Sequence, residues 1–321
     1  MEFHPACRVL GTLICTIALA NVSVAKPASA PKVIELLVPY APGGASDTVG
    51  RAIAPALQKA IGAQVVVVNK PGANGAIAGT QLARANNDGS TLLLADVAIV
   101  LNPILRKNTS YDVKKDFSAV ALVGTGPFVL YVPTSGPKDL KAFLDGGERG
   151  RTVAHSGVGS LGHLATELLQ QKTQSKLLSV AYQGAGPAMA DTVGGQVDGL
   201  FGSTASGMSM VQTGRLKALA VADRNRLASY PDIPTFEELG VEGVHVINWW
   251  GLVAPSGTPA EVVDWLQDGV KQVLEDPEIR KRLTGIEVTP TQMNTAEYDK
   301  LINQDIALWE SVVKQAGITV D

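Results

Sequence analysis

Twice along this chain an apolar run ends in a glycine-rich turn and restarts as an amphipathic helix, and that order narrows the fold. The first run, Val33 to Pro39, leads into Ala41-Pro42-Gly43-Gly44-Ala45-Ser46-Asp47. Apolar positions Val49, Ile53, Leu57 and Ile61, four apart, then predict a helix. Val65 to Val68 is a continuous β-branched run, which suits a strand buried on both faces of a parallel sheet. A helix over about Gly75 to Ala85 leads through Asp88-Gly89 to a strand at Thr91 to Ala95. The second unit repeats the rhythm. Strand Thr152 to His155 precedes Ser156-Gly157-Val158-Gly159-Ser160 and a helix carrying Leu161, Leu164, Leu168 and Leu169. Strands follow at Leu177 to Tyr182, Val197 to Phe201 and Leu216 to Val221, between helices that stop at Gly194-Gly195 and Gly214. Alternation of this kind predicts two α/β units, each a mainly parallel sheet flanked by helices.

A length of 321 residues exceeds the range in which one core usually suffices. Two apolar segments, Phe128 to Pro133 and Val246 to Pro255, lie between the blocks. If the chain leaves through one and returns through the other, residues 31–130 plus 250–321 form a discontinuous first lobe and residues 131–249 the second. Two crossings make a hinge, and a hinge between lobes creates a cleft that can close on a ligand. The tail is helical. Thr258-Pro259-Ala260-Glu261 reads as a capping box, Asp276-Pro277 as a helix start, and Asn294 with Glu297 as a second box.

The N-terminus reads as an export signal over residues 1–25. Arg8 precedes the apolar run Val9 to Ala20, and Ser23 and Ala25 supply small residues at −3 and −1 of a cleavage site. Both cysteines, Cys7 and Cys15, fall inside it, so the expected product is an exported, soluble, periplasmic chain with neither disulfide nor thiol chemistry. A net charge of −3 gives no reason to expect nucleic acid.

Each glycine turn joins a strand to a helix start, where unpaired N–H groups and the helix dipole favour an anion. Gly43 and Gly44 allow close approach of a ligand, and Ser46 or Asp47 can cap the helix. Gly157, Gly159 and Ser160 do the equivalent in the second unit. In open α/β sheets, ligands bind beyond the carboxyl ends of the strands, so both turns should face the cleft. Gly157 to Gly162 also satisfies G-x-G-x-x-G, but no acidic residue stands near 177–183 to hold a ribose. No cofactor is expected. The four histidines, His4, His155, His163 and His245, have no metal-ligand spacing, and no G-x-S-x-G occurs, so neither catalytic nor metal residues are assigned. His163 either reaches a ligand carboxylate or packs locally. Asp96 ends the third strand and reads either as a solvated turn residue or as an acceptor for a ligand donor. Trp249 and Trp250, in the second crossing, are expected to fill the hinge core.

Ordered motifs then carry a resemblance. Val38 to Asp47, Val66 to Ala73, Asp88 to Leu93, Asn102-Pro103, Tyr111-Asp112, Asp116-Phe117, Ser156-Gly157 with Ser160 and His163, and Tyr182-Gln183-Gly184 resemble the Bug family, the TctC-like receptors of tripartite tricarboxylate transporters. Gly194 to Asp198, Leu216 to Val221, Pro231 to Thr235 and Gly251 to Pro255 continue it. The resemblance implies a type II periplasmic binding protein of Venus-flytrap form that binds carboxylates through backbone N–H groups and waters near the two turns. It implies partners too: one large and one small membrane subunit, or in some relatives a sensor kinase. The expected ligand-binding set is Tyr40, Gly43, Gly44, Ala45, Ser46, Asp47, Asp96, Ser156, Gly157, Gly159, Ser160, His163, Tyr182, Gly184 and Ser203. The family commonly has small hydroxyl residues at Asp96 and Val97, and Phe-Asp-Ser where this chain reads Phe201-Gly202-Ser203. Without a carboxylate at Gly202, a dicarboxylate or aromatic acid is expected over an amino acid. A periplasmic enzyme would need a nucleophile–base pair or metal cluster that the sequence lacks. A sensory protein would share every feature of a transport receptor. The chain is expected to be a monomer.

Overall fold

The computed structural model describes residues 26–182 and 184–318. The expected signal at 1–25, with Cys7 and Cys15, lies outside the described residues. Three strands and two helices open the fold: β1 (Val33–Val38), α1 (Ala45–Ile61), β2 (Gln64–Asn69), α2 (Ala76–Ala83) and β3 (Thr91–Ala95). Two short helices, α3 (Ala98–Leu105) and α4 (Val113–Asp116), lead to the long β4 (Phe117–Pro133). Then come α5 (Leu140–Leu144), β5 (Arg151–His155), α6 (Leu161–Thr173), β6 (Leu177–Ala181), α7 (Ala185–Val193), β7 (Gly199–Ser203), α8 (Thr204–Gln212) and β8 (Leu216–Val221). The chain closes with β9 (Ile247–Pro255), α9 (Ala260–Glu275), α10 (Pro277–Thr284), β10 (Thr289–Met293) and α11 (Thr295–Ala316).

The α/β class holds, but the sheet is mixed where mainly parallel lobes were expected. β1 pairs in parallel with β2 and β3, and β5 with β6 and β7. Every partner of β4 is antiparallel to it. The cause is β4 itself. Its first two-thirds pairs with β9, from Phe117↔Pro255 to Pro127↔Ile247, and its last residues pair with β7 and β8. Both expected crossings are strand segments, but only β4 passes from one sheet to the other: Phe128 to Pro133 pairs with β7 and β8, while β9 pairs with the earlier part of β4 and with β3. The strand path is β2-β1-β3-β9-β4-β7-β5-β6. That path corrects the reading of Val65 to Val68, because β2 is an edge strand and Val66 is exposed. A β-branched run alone does not separate a central strand from an edge one.

α1 shows how packing overrides helix propensity. It contains Gly50 and Pro55, which cost roughly 1 and 3 kcal/mol in a helix interior. Val49, Ile53, Leu57 and Ile61 are all buried on its inner face, each worth roughly 1.5–3 kcal/mol, so burial wins. Gly50 is what lets the helix approach: a Cβ there would lie 3.1 Å from Val38 Cγ2. Among the caps, Asn294 and Glu297 form the expected box on α11 and Asp276 caps α10. Thr258 does not cap α9: its hydroxyl donates to the Pro255 carbonyl at 2.7 Å, and Pro259 takes the cap position.

Candidate functional site

The first turn begins where β1 ends. α1 starts at Ala45 with Gly44 at its cap position, and no side chain caps it. The expected caps are engaged elsewhere. Asp47 reaches back to accept the Gly43 N–H at 2.9 Å, the Arg51 guanidinium at 3.0 Å and the Asn69 amide at 2.8 Å. Burial pushes its pKa up, but these donors outweigh burial and hold the carboxyl below the usual range. Ser46 turns inward, accepting from Trp250 Nε1 at 3.0 Å and donating to Asp96 at 3.5 Å. The α1 N-terminus is therefore left uncovered by both. Gly43 has φ +88°, which demands glycine. Gly44 does not: its φ is −77°, and a Cβ would meet only the Ala41 carbonyl oxygen, at 3.7 Å. Space therefore lies open directly at the helix start.

Asp96 follows β3 and is buried, with 6% of its surface exposed, so it is no solvated turn residue. It accepts from the Tyr40 hydroxyl at 3.2 Å and the Ala98 N–H at 3.0 Å, as well as from Ser46. All these donors are neutral, and burial raises its pKa to about 6. Burial and the adjacent Asp96 push the Tyr40 hydroxyl upward, which keeps it a donor.

The second turn is held by two histidines. Gly157 (φ +137°) and Gly159 (φ +78°) let the chain fold back so that Ser160 N–H donates to the Gly157 carbonyl at 3.0 Å. His155 and His163 stack with ring centres 4.7 Å apart. His155 Nδ1 lies 2.8 Å from the Gly157 carbonyl and its Nε2 2.8 Å from Ser179 Oγ. His163 Nδ1 accepts the Gly159 N–H at 3.1 Å, while Ser160 accepts the His163 N–H. Burial lowers both imidazoles, His155 to about 4, so both are neutral near pH 7 and His163 can accept. His163 makes local bonds through Nδ1 and its own N–H, as one of its two readings expected. Ser156 is exposed beside it.

The Tyr182 N–H donates to the His155 carbonyl at 3.0 Å and its hydroxyl to Asp191 at 2.8 Å. Gly184 (φ +112°) and Ser203 start α7 and α8, and no side chain caps either helix. Of the fifteen expected residues, Gly43 bonds to Asp47, and eight others fall into two bonded groups: Tyr40, Ser46 and Asp96 in one, and Gly157, Gly159, Ser160, His163 and Tyr182, gathered about His155, in the other. Ser203 belongs to neither, its hydroxyl lying 3.0 Å from Ser206 Oγ. His155, Asn69, Asn74 and Trp250 are architectural residues that the expected set missed. Asn69 follows directly on the β-branched run, Asn74 lies in the Pro71-Gly72-Ala73-Asn74-Gly75 turn after it, and His155 stands immediately before the second turn. Trp249 and Trp250 are fully buried, as expected for the crossing. Among the described residues, no three His, Cys, Asp or Glu side chains are placed to hold a metal. No helix among them is long and apolar enough to cross a membrane.

With that geometry in hand, the known proteins decide the family. Residues 49–318 match the tripartite tricarboxylate transporter family receptor. The chain belongs to this family. This Bug-type receptor is 30% identical over 313 residues to Protein BugT of Bordetella pertussis, covering 94% of this chain and 95% of that one. Among solved structures, it resembles MatC from Rhodopseudomonas palustris with bound malate, at 32% identity and TM-score 0.80, covering 88% of this chain and 98% of that one. It also resembles an R. palustris protein solved with adipate, at 29% identity and TM-score 0.83, covering 89% and 98%. The chain is a Bug-type periplasmic solute-binding protein.

Proposed function

We propose that this receptor captures a small carboxylate between two lobes and delivers it to the large and small membrane subunits of a tripartite transporter, without catalysis. The lobes are residues 31–130 with 250–321 and residues 131–249, the division falling along β4 and β9. The observation that carries the reading is the uncapped α1 N-terminus at Gly44, with open space before it. A helix start of this kind attracts a carboxylate through its unpaired N–H groups and dipole. From the other lobe, the uncapped helix starts at Gly184 and Ser203 bring further N–H groups. The second turn keeps its Gly157, Gly159 and Ser160 N–H groups bonded within itself and offers those of Ser156 and Val158. Tyr40 and Asp96 lie beneath the first turn, where a ligand hydroxyl would be met.

A dicarboxylate or aromatic acid is favoured over an amino acid, because Gly202 offers no carboxylate to a ligand ammonium group. Relatives solved with malate and adipate accord with this class. The test is a thermal-shift screen of residues 26–321 against mono-, di- and tricarboxylates, aromatic acids and amino acids. A ligand at a hundredfold excess over its Kd stabilises by ~2.7 kcal/mol. The expected result is a carboxylate hit that Gly44→Val abolishes. Tight binding of aspartate or glutamate with no response to the other acids would overturn the ligand class.

A further inference from the structure

Four consecutive residues after β2 have positive φ: Gly72 (+129°), Ala73 (+48°), Asn74 (+52°) and Gly75 (+86°). Two of them carry a Cβ, and such residues adopt this region uncommonly, asparagine more readily than most. The run is fixed from within its own side of the fold. Asn102, itself buried, donates from its side-chain amide to the Asn74 carbonyl at 2.9 Å. A Cβ on Gly75 would sit 3.1 Å from Pro39 Cβ, so the loop lies against the end of β1. From that mounting the Asn74 side chain extends away and donates to the Gly159 carbonyl at 3.2 Å. Gly159 is the residue whose N–H is held by His163. One side-chain amide thus joins the loop after β2 to the glycine turn after β5, both at carboxyl ends of parallel strands.

We propose that Asn74 is an inter-lobe positioning residue: it holds the second turn in its binding geometry from across the cleft and stabilises the closed state. This rests on the two-lobed reading above. Asn74 touches no ligand in this account. It acts through the Gly159 carbonyl, and the left-handed run exists to aim it. A bond made only when the lobes are together adds to closed-state stability and so to ligand retention. A neutral bond of this type corresponds to roughly a three- to tenfold effect on an equilibrium constant.

The test uses Asn74→Gly, which tolerates the left-handed backbone and removes the side chain that carries the amide. Asn74→Asp is the second variant, which keeps the shape but places an acceptor against a carbonyl. Residues 26–318 contain no cysteine, so spin labels can be attached to cysteines introduced at Lys59 and Arg215, exposed on opposite sides of the crossing strands. Without ligand, both variants should show a longer and broader label-to-label distance than the parent. With the carboxylate found in the screen, dissociation should quicken roughly three- to tenfold and association should hardly change. An unchanged distance distribution in both folded variants would overturn the proposal, as would an unchanged dissociation rate. Should the parent bind no acid in the panel, the carboxylate reading fails, and the distance measurement still decides the role of Asn74.

Discussion

The φ of −77° at Gly44 suits any residue, and a Cβ there would meet only the Ala41 carbonyl oxygen, in ordinary contact at 3.7 Å. Alanine at a helix cap position costs a few tenths to about 1 kcal/mol relative to glycine. Gly44→Ala should therefore melt within a few degrees of the parent while losing at least about tenfold in carboxylate affinity, a separation that parallel melting and titration would reveal. Asp96 makes a prediction with a definite sign. Its folded-state pKa, raised from 3.8 to about 6, means that the folded protein holds a proton the unfolded chain has released. Its contribution is complete below pH 4 and is lost as pH rises through 6. Asp96→Asn should thus stabilise the fold by about 1–3 kcal/mol at pH 8, with the gain shrinking below pH 6 and gone near pH 4. Urea melts across that range would show it, and an Asn variant less stable at pH 8 would refute it. His155 has the opposite sign. Its pKa, lowered to about 4, makes the fold lose stability as pH falls from about 6.5 towards 4.

At the scale of elements, the contact between α1 and α9 is set by a missing side chain. A Cβ on Gly269 would lie 2.2 Å from Ile61 Cγ2. Gly269→Ala should destabilise by about 1–3 kcal/mol despite alanine's better helix propensity. Truncating Ile61 to alanine in the same chain should restore part of that loss relative to the Ile61→Ala single variant, and a double-mutant cycle by denaturant melts would measure it. The elements themselves were largely legible. Spacing four apart placed α1, glycine marked the end of α7 at Gly194 and, within two residues, that of α8 at Gly214, and β3 and β8 fell where the apolar runs are. Pairing was not legible. Nothing in Phe117 to Pro133 states that one strand serves two sheets, and Val65 to Val68 looks identical at an edge or a centre. The turns of the candidate site could be read because glycine and helix starts have local causes. The inward rotation of Ser46 and the grip of Asp47 on Gly43 could not, since both depend on Trp250, Asp96 and Asn69, distant in sequence.

Over the whole molecule, the two sheets are less separate than the word lobe suggests. β4 contributes hydrogen bonds to both, and α11 packs on β4, α3 and α6. Asp305 of α11 accepts from Trp249 Nε1 at 2.5 Å, tying the last helix to the crossing. Such sharing predicts one cooperative unfolding transition, with calorimetric and van't Hoff enthalpies agreeing, where a chain of this length would ordinarily unfold in steps. Two resolved endotherms would contradict it. The pairing of Pro127 with Ile247 has one more consequence. Everything from residue 128 to 246 departs and returns through neighbours on adjacent strands, the geometry of a cassette set into a host. A hairpin turn of about two to five residues would bridge the gap. The second half of the proposed binding surface could then be exchanged between relatives as a single piece, so that new ligand preferences arise by transplantation without rebuilding the host sheet.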